Sequence, residues 1–290
     1  MLRECVLFFG LKKTIEQSAV KKVAEVLGEL GARVRVSSDL KDRFDEAPSF
    51  VRFLPEEELF LGAELIVVMG GDGSIIEAAR RSSGLSIPIV GINFGSLGYL
   101  AELEFGEIRL LSKILNGDFK TESRMMLDCV ITGKDGRNVR IRPCLNDVVL
   151  SNGPVSRLSS FDLFCDGVHI AGYAADGIVI STPTGSSAYS MSAGGPLIYQ
   201  SVEGLLATPI CPHSLGLRPI VFRGDSVLTV KNPHCRENRM FLTADGRENV
   251  EIFCDDTVTV KKSDTVTRLV RVKEGGFLNV LHRKLSERPF

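Results

Sequence analysis

The 290-residue sequence lacks the cysteine and histidine patterns that mark many metal-binding proteins. Its seven cysteines are scattered, none forms a C-x-x-C pair, and the four histidines do not cluster beside them. This spacing argues against a zinc site. An odd number of dispersed cysteines is more typical of a reducing compartment than of a disulfide framework. We therefore expect a cytoplasmic protein.

An excess of charge and long apolar runs are also missing. The formal net charge is -1 and the isoelectric point is about 6.5, which argues against a nucleic-acid partner. No apolar run approaches the roughly 20 residues that a membrane helix needs, and the charge-free stretch 177–202 is rich in Ser, Thr, Gly and Pro. We expect no membrane partner. Cys5–Phe9 is interpreted as a first strand rather than part of a signal peptide, because no small-residue cleavage site follows it.

Two common nucleotide fingerprints, the Walker A sequence and a complete G-x-G-x-x-G, are absent as well. A turn with the sequence Gly-Gly-Asp-Gly-Ser, residues 70–74, nevertheless follows the apolar run 65–69 and precedes a helix-like segment. The run predicts a buried strand, and the free N–H groups at a helix start suit a phosphate. In the alternative interpretation the turn is only structural, and Asp72 or Ser74 caps the helix. The candidate phosphate-loop residues are Gly70, Gly71, Gly73 and Ser74.

Strand-like and helix-like segments alternate up to about residue 122. The predicted strands are 5–9, 33–36, 65–69 and 87–92, the predicted helices are 13–30, 75–81 and 108–115, and residues 37–58 are predicted to form an irregular, mobile excursion. Such alternation predicts a parallel sheet that binds ligands outside the carboxyl ends of its strands. A second glycine-rich loop, residues 93–99, follows the strand 87–92.

Strand patterns dominate after residue 122. The candidate strands are 126–132, 139–142, 146–150, 161–165, 178–181, 227–231, 250–254 and 257–261, and Asp-Gly pairs at 135–136, 166–167 and 245–246 supply hairpin turns. The tail 276–285 has helical spacing. We therefore predict an α/β N-terminal domain with a parallel Rossmann-like sheet, residues 1–122 with 274–290 returning to it, and a β-rich C-terminal domain, residues 123–273.

Two polar stretches of the second domain suit a nucleotide. Asn146 and Asp147 precede an apolar run; an amide can bind a purine edge, and a carboxylate can accept from ribose hydroxyls. The alternative is a turn that opens a strand. The second stretch, residues 181–190, carries seven hydroxyl side chains. We interpret these as neutral donors and acceptors for a sugar and a base, because a purely structural loop seldom needs so many.

These blocks, in this order and spacing, resemble those of NAD kinases: Gly-Gly-Asp-Gly-Ser (70–74), Leu-Asn-Asp-Val-Val-Leu (145–150) and Thr-Pro-Thr-Gly-Ser-Ser-Ala-Tyr-Ser (182–190). Smaller blocks agree at 91–93, 97–100, 123–127, 212–215, 218–219 and 244–246. The resemblance covers nearly the whole chain. Ser187 stands where threonine is usual, Tyr99 where phenylalanine is usual, and Ala101 replaces a more polar residue.

The resemblance implies a set of site residues. Asp72 matches the catalytic aspartate, and Asn146 and Asp147 match the pair that holds the adenosine part of NAD. Asp176 matches an aspartate on the nicotinamide side, which in some members comes from a neighbouring subunit. The other residues expected to bind NAD are Gly73, Leu97, Gly98, Tyr99, Thr184, Ser187, Ala188 and Tyr189.

The implied reaction is phosphoryl transfer from ATP, or from polyphosphate, to the 2'-hydroxyl of the adenosine ribose in NAD. Asp72 is expected to accept the hydroxyl proton, backbone N–H groups of 70–74 and 95–98 to cradle phosphates, and Mg²⁺ to bridge the donor phosphates. No cluster of protein carboxylates suggests itself as the metal site. The resemblance also implies a homodimer or homotetramer.

Two other functions remain as alternatives. A lipid or diacylglycerol kinase shares the Gly-Gly-Asp-Gly turn, but its substrate needs neither Asn146-Asp147 nor the hydroxyl-rich loop. A non-catalytic dinucleotide sensor would have no use for Asp72 as a base. His213 lies in a matching block, and we assign it a structural hydrogen-bonding role.

Overall fold

The structure, a computed structural model, describes residues 2–9, 15–44, 46–95, 98–152, 159–213, 216–232 and 240–286. The chain divides into two compact units. The first unit is Met1–Ser123 together with Thr267–Phe290, and the second is Arg124–Val266.

The first part of the chain alternates strands and helices. In order these are β1 (Glu4–Phe9), α1 (Gln17–Glu29), β2 (Arg33–Ser37), β3 (Val51–Leu54), α2 (Glu56–Leu59), β4 (Leu65–Met69), α3 (Asp72–Arg81), β5 (Pro88–Asn93), β6 (Leu103–Glu104) and α4 (Leu111–Leu115). Turns of 3-10 helix occupy Ser38–Arg43 and Phe105–Leu110.

Strands dominate the rest of the chain. In order the elements are β7 (Lys120–Thr132), β8 (Asn138–Cys144), β9 (Asp147–Asn152), β10 (Ser159–Cys165), β11 (Val168–Ala175), β12 (Gly177–Ser181), α5 (Tyr189–Ser192), β13 (Gly204–Ile210), β14 (Ile220–Arg223), β15 (Val227–Lys231), β16 (Met240–Ala244), β17 (Glu248–Ile252), β18 (Thr257–Arg271) and α6 (Gly276–Ser286). A 3-10 turn at Gly185–Ser187 precedes α5.

The sheet of the first unit is parallel, as predicted. Its order is β18-β5-β4-β1-β2-β3, with β6 beside β5, and each of these pairings is parallel. β4 is buried along its whole length, which accounts for its continuous apolar sequence. Helix α1 buries one face, Ala19, Val20, Val23, Ala24 and Leu27. Because parallel neighbours end at one edge, the segments after β4 and β5 meet there.

The interpretation of residues 37–58 as irregular is wrong. β3 lies inside this segment and pairs in parallel with β2. It has four residues, and only Val51 among them is buried, so an edge strand this short leaves almost no apolar pattern in the sequence.

The second unit is built from antiparallel strands. One sheet has the order β14-β13-β12-β9-β16-β17, while β11-β10-β15-β18 and β7-β8 form a second layer. Alternate residues of both layers enter one apolar core, for example Leu150, Ile180, Leu163 and Val260. This arrangement confirms the predicted β-rich fold class. Strands β11, β13, β14 and β16 have no counterpart in the sequence prediction.

Two of the Asp-Gly pairs form the tight hairpins that the sequence predicts. Asp166 and Gly167 have φ angles of 51° and 82°, and Asp245 and Gly246 have 49° and 66°. Positive φ at both central residues is the requirement of a type I′ turn. At the third pair, only Gly136 has a positive φ.

Two general expectations can be compared with the structure. Within the described ranges, none of the helices has both the length and the apolar character of a membrane span. Cys5, Cys129, Cys144, Cys165 and Cys211 are free thiols, but Cys254 is disulfide-bonded. The odd number of dispersed cysteines argues against a disulfide framework, and Cys254 nevertheless takes part in a disulfide.

Candidate active site

The glycine turn of the first unit links the end of β4 to the start of α3. Gly70 has a φ of 144°, which only glycine adopts without strain, and a Cβ there would also press on Ser74 Oγ. The Gly70 N–H donates to the Ile92 carbonyl at 2.9 Å. This bond ties the turn to β5, the neighbouring strand.

Asp72 is the first residue of α3 but does not cap it. The N-cap is Gly71, and no side chain makes a cap hydrogen bond there. The Asp72 carboxylate instead accepts the backbone N–H groups of Tyr99, at 2.8 Å, and Leu100, at 3.1 Å. The interpretation of Asp72 as a simple helix cap is therefore wrong.

The loop that follows β5 fits closely against this carboxylate. A Cβ on the buried Gly98 would overlap the Asp72 carboxylate, so glycine is needed for the approach. Each Asp72 carboxylate oxygen accepts one hydrogen bond from the loop and has a second lone pair that can accept another. Burial and the charge of Asp72 raise the pKa of Tyr99, which keeps its phenol neutral. Leu97, predicted to bind NAD, lies outside the described residues.

A buried glutamate close to this loop in sequence, Glu102, bonds to the segment 271–273. Glu102 accepts the N–H groups of Val272, at 2.8 Å, and Lys273, at 2.7 Å, and pairs with Arg271 at 3.1 Å. Arg271 also pairs with Glu122 at 2.9 Å. Sequence reasoning missed these residues because partners about 170 positions apart leave no local motif.

Asn146 and Asp147 lie in the second unit, where Asn146 follows β8 and Asp147 begins β9, and their turn is hydrogen-bonded to Asp245. One Asp245 carboxylate oxygen accepts the N–H groups of Asn146, at 2.8 Å, and Asp147, at 3.1 Å. The other oxygen accepts the Leu145 N–H at 2.9 Å. The sequence placed Asp245 in a matching block but assigned it no contact.

The Asp147 side chain is only 5% exposed. Burial, and secondarily the charge of Asp245, raises its pKa from 3.8 to about 7. Ser181 lies directly opposite on β12, and its buried hydroxyl makes no hydrogen bond within the described residues. The same holds for the buried Oδ1 of Asn146. These unsatisfied polar atoms are costly unless a ligand pairs with them.

Most hydroxyls of the 181–190 loop bond within the protein, contrary to the interpretation that they serve a ligand. Ser186 Oγ donates to Pro183 O at 2.6 Å and accepts the Ile198 N–H at 2.9 Å. Ser187 Oγ donates to Thr184 O at 3.1 Å, and Ser190 pairs with Thr208 at 2.8 Å. Buried loop backbone needs such partners, which explains the high hydroxyl content in structural terms.

Thr184 and Tyr189 show two different environments in this loop. Thr184 is buried, and its hydroxyl accepts from the fully buried Arg124 at 3.3 Å. Tyr189 is 46% exposed and presents its ring at the surface of the unit. Ala188, between them, is half-buried.

The two predicted stretches of the second unit come together through Thr182. Its N–H donates to Asn146 O at 2.9 Å, and its hydroxyl donates to Leu145 O at 2.7 Å. The same hydroxyl accepts the Gly185 N–H at 3.0 Å. A Cβ on Gly185 would overlap the Asn146 carbonyl. The loop and the Asn146-Asp147 turn are thus one assembly.

Asp176 is not part of that assembly. It is exposed and immediately precedes β12, whereas Asp147 lies opposite Ser181 at the other end of this strand. Five residues of extended chain span about 16 Å. Asp176 therefore lies far from Asn146 and Asp147 within one copy of the chain.

No three His, Cys, Asp or Glu side chains converge as a metal site among the residues that the structure describes.

Family models match both parts of the chain. Residues 7–119 match the ATP-NAD kinase N-terminal domain, and residues 145–272 match the ATP-NAD kinase C-terminal domain. The NAD kinase of Thermoanaerobacter sp. (strain X514) is 37% identical over 80% of this chain and 81% of its own length. The NAD kinase of Geobacter sulfurreducens is 40% identical over 79% of this chain and 81% of its own.

Two solved structures share the fold. Yeast NADH kinase complexed with NADH gives a TM-score of 0.91 at 24% identity and covers 100% of this chain and 89% of its own. An NAD kinase from Archaeoglobus fulgidus in complex with ATP gives 0.75 at 24% identity, covering 98% and 99%. The family models and the sequence relatives show that the chain belongs to the NAD kinase family.

Proposed function

We propose that this chain transfers the terminal phosphoryl group of ATP to the 2'-hydroxyl of the adenosine ribose of NAD, with Asp72 as the base. The observation that carries the proposal is the placement of Asp72. Its carboxylate lies at the N-terminal turn of α3, is oriented by two backbone N–H groups, and does not serve the helix as a cap. Family membership supports the reaction itself.

Asp72 contributes mainly orientation. Phosphoryl transfer has a loose transition state, in which the protein positions the groups and stabilises charge. A carboxylate is a weak base for an alcohol, so the proton moves late, as the hydroxyl oxygen bonds to phosphorus. The N-terminus of α3 offers the positive end of its dipole to the phosphates.

Mg²⁺ is the expected companion of ATP, and we propose that phosphate oxygens and water supply most of its ligands. When bound, it would neutralise charge on the donor phosphates. A coupled assay for NADP formation, with ATP, Mg²⁺ and polyphosphate varied separately, tests the proposal. NADP should form with ATP and Mg²⁺. Failure to form NADP from NAD with any donor would overturn the proposal.

Asn146 and Asp147 are proposed to hold the adenosine part of NAD, with Tyr189, Thr184, Ser187 and Ala188 lining the site. The buried, unsatisfied Oδ1 of Asn146 supports this role, because a donor on the base would satisfy it. Asp147 would accept from a ribose hydroxyl. The abundant hydroxyls of the loop act indirectly, by fixing the backbone that carries these residues.

Asn146→Ala and Asp147→Ala should each raise the KM for NAD with the fold intact. Loss of a buried hydrogen bond costs about 1–3 kcal/mol, which corresponds to roughly 5- to 150-fold in affinity. Steady-state kinetics with a thermal melt would measure both effects. Asn249→Ala, an exposed asparagine on β17 of the same unit, is the matched control. Unchanged kinetics in both variants would remove these residues from the site.

We also propose a homodimer or homotetramer in the cytoplasm, in which Asp176 acts on a neighbouring copy. Because the length of β12, roughly 16 Å, separates them, Asp176 cannot reach the Asn146-Asp147 turn of its own copy. Co-expressed Asp176→Ala and Asp72→Asn chains should therefore regain activity that neither variant has alone, since mixed assemblies contain one intact combination. Sedimentation at assay concentration provides the second measurement. A fully active monomer would disprove the assembly.

A further inference from the structure

Four hydrogen bonds connect Asp245, in the Asp245–Gly246 hairpin, to residues 145–147. Three successive N–H groups, those of Leu145, Asn146 and Asp147, donate to the single Asp245 carboxylate at 2.8–3.1 Å. In return, the Asp245 N–H donates to the Asp147 carbonyl at 3.0 Å. In an extended strand successive N–H groups point to opposite sides. Their convergence means that the chain curls here into a nest, a concavity of N–H groups that binds an anion.

A second hairpin of the same unit shows what such an aspartate does when it has only a structural task. Asp166, also left-handed and followed by glycine, accepts the Val227 N–H at 2.8 Å and donates its own N–H to Val227 O at 2.9 Å. Asp245 makes this same exchange with Asp147. Asp245 differs from Asp166 in its two additional backbone donors, the N–H groups of Leu145 and Asn146, whereas the additional donor to Asp166 is a side chain, the Cys165 thiol at 3.4 Å.

The carbonyl side of the nest is equally constrained. Thr182 bonds the carbonyls of Leu145 and Asn146, and through Gly185 it connects them to the loop that carries Tyr189. Asp245 therefore holds the three N–H groups of the nest, and Thr182 holds the carbonyls of Leu145 and Asn146. Without the carboxylate, converging N–H groups lose their partner and the turn would relax.

We propose that Asp245 is a positioning residue for NAD: its carboxylate is the internal anion that holds residues 145–147 in the conformation that binds adenosine. The inference rests on the proposed role of Asn146 and Asp147. Asp245 touches no reacting atom, so it acts on substrate affinity rather than on the chemical step.

The test compares Asp245→Asn and Asp245→Ala with the matched variant Asp166→Asn. Asparagine keeps one acceptor oxygen and the size of the side chain, so it should fold even where alanine does not. Charge-assisted hydrogen bonds are strong, so the KM for NAD should rise about tenfold in Asp245→Asn and more in Asp245→Ala. The kcat should change less than about threefold. Asp166→Asn should alter neither constant by more than about twofold.

Comparing the change in KM with the change in kcat distinguishes a positioning role of Asp245 from damage to the fold. A partly unfolded enzyme loses apparent kcat at constant KM, whereas a displaced turn raises KM in a folded protein, which a thermal melt verifies. An unchanged KM in folded Asp245→Asn, or an equal rise in Asp166→Asn, would overturn the inference. Asn146→Ala keeps the two proposals apart. If Asn146→Ala raises the KM for NAD while Asp245→Asn does not, only the positioning role of Asp245 is disproved. If Asn146→Ala has no effect on KM, the proposed adenosine site itself is disproved.

Discussion

Asp72→Asn should lower turnover by a factor on the order of 10² or more at saturating NAD and ATP, as expected for the loss of a general base. The change preserves size and removes the proton acceptor. NAD binding, measured directly by calorimetry, should change much less than turnover. Near-normal turnover in a folded Asp72→Asn protein would leave the proposed mechanism without its base.

The bonds from Tyr99 and Leu100 require a control, because asparagine replaces one of the two oxygens that accept these N–H groups with an NH₂ group, which cannot accept. Part of any loss could come from a displaced loop. Gly98→Ala supplies the comparison, since its Cβ would press on the carboxylate while leaving a base in the protein. We expect Asp72→Asn to be at least about tenfold slower than Gly98→Ala. Equal losses would make Asp72 a tether rather than a base.

The strand–turn–helix around Asp72 could be predicted from the sequence because every signal in it is local. A β-branched run, glycines and helical spacing lie within about 17 residues of one another, and each has a direct physical reading. The parallel sheet followed from the alternation of such segments. Strand β3 was not predicted, because four residues at a sheet edge with only one buried side chain carry almost no hydrophobic pattern.

The site contacts that the sequence missed are those that depend on the fold. Asp245 lies about 100 positions from Leu145, and a carboxylate in an Asp-Gly turn looks the same at residue 166 and at residue 245. The density of hydroxyls predicts that Thr182 is available to a ligand, but its oxygen donates to the Leu145 carbonyl and accepts the Gly185 N–H. Composition indicates that a loop has hydroxyls; only the fold determines which of them remain for a substrate.

Asp147 should make the protein less stable as the pH rises. Its pKa is about 7 in the folded chain against an ordinary value of 3.8, so between these values the folded state binds more protons than the unfolded state. The free energy of unfolding therefore falls with increasing pH across that window and levels off above about pH 7. A nearly isosteric Asp147→Asn removes the ionisation, and with it both the burial cost of the charge and the repulsion from Asp245.

We therefore expect Asp147→Asn to gain about 2–3 kcal/mol over the parent chain between pH 5 and pH 8, read from denaturant melts at each pH. Activity should move in the opposite sense. At pH 8 the variant lacks the carboxylate that accepts from the ribose, so its kcat/KM for NAD should fall, by roughly tenfold for one charged hydrogen bond. Near pH 6 the parent's Asp147 is mostly protonated and resembles asparagine, so the two activities should converge. A stability difference that does not vary with pH, or a variant that is less stable at pH 8, would show that the folded chain does not raise the pKa of Asp147.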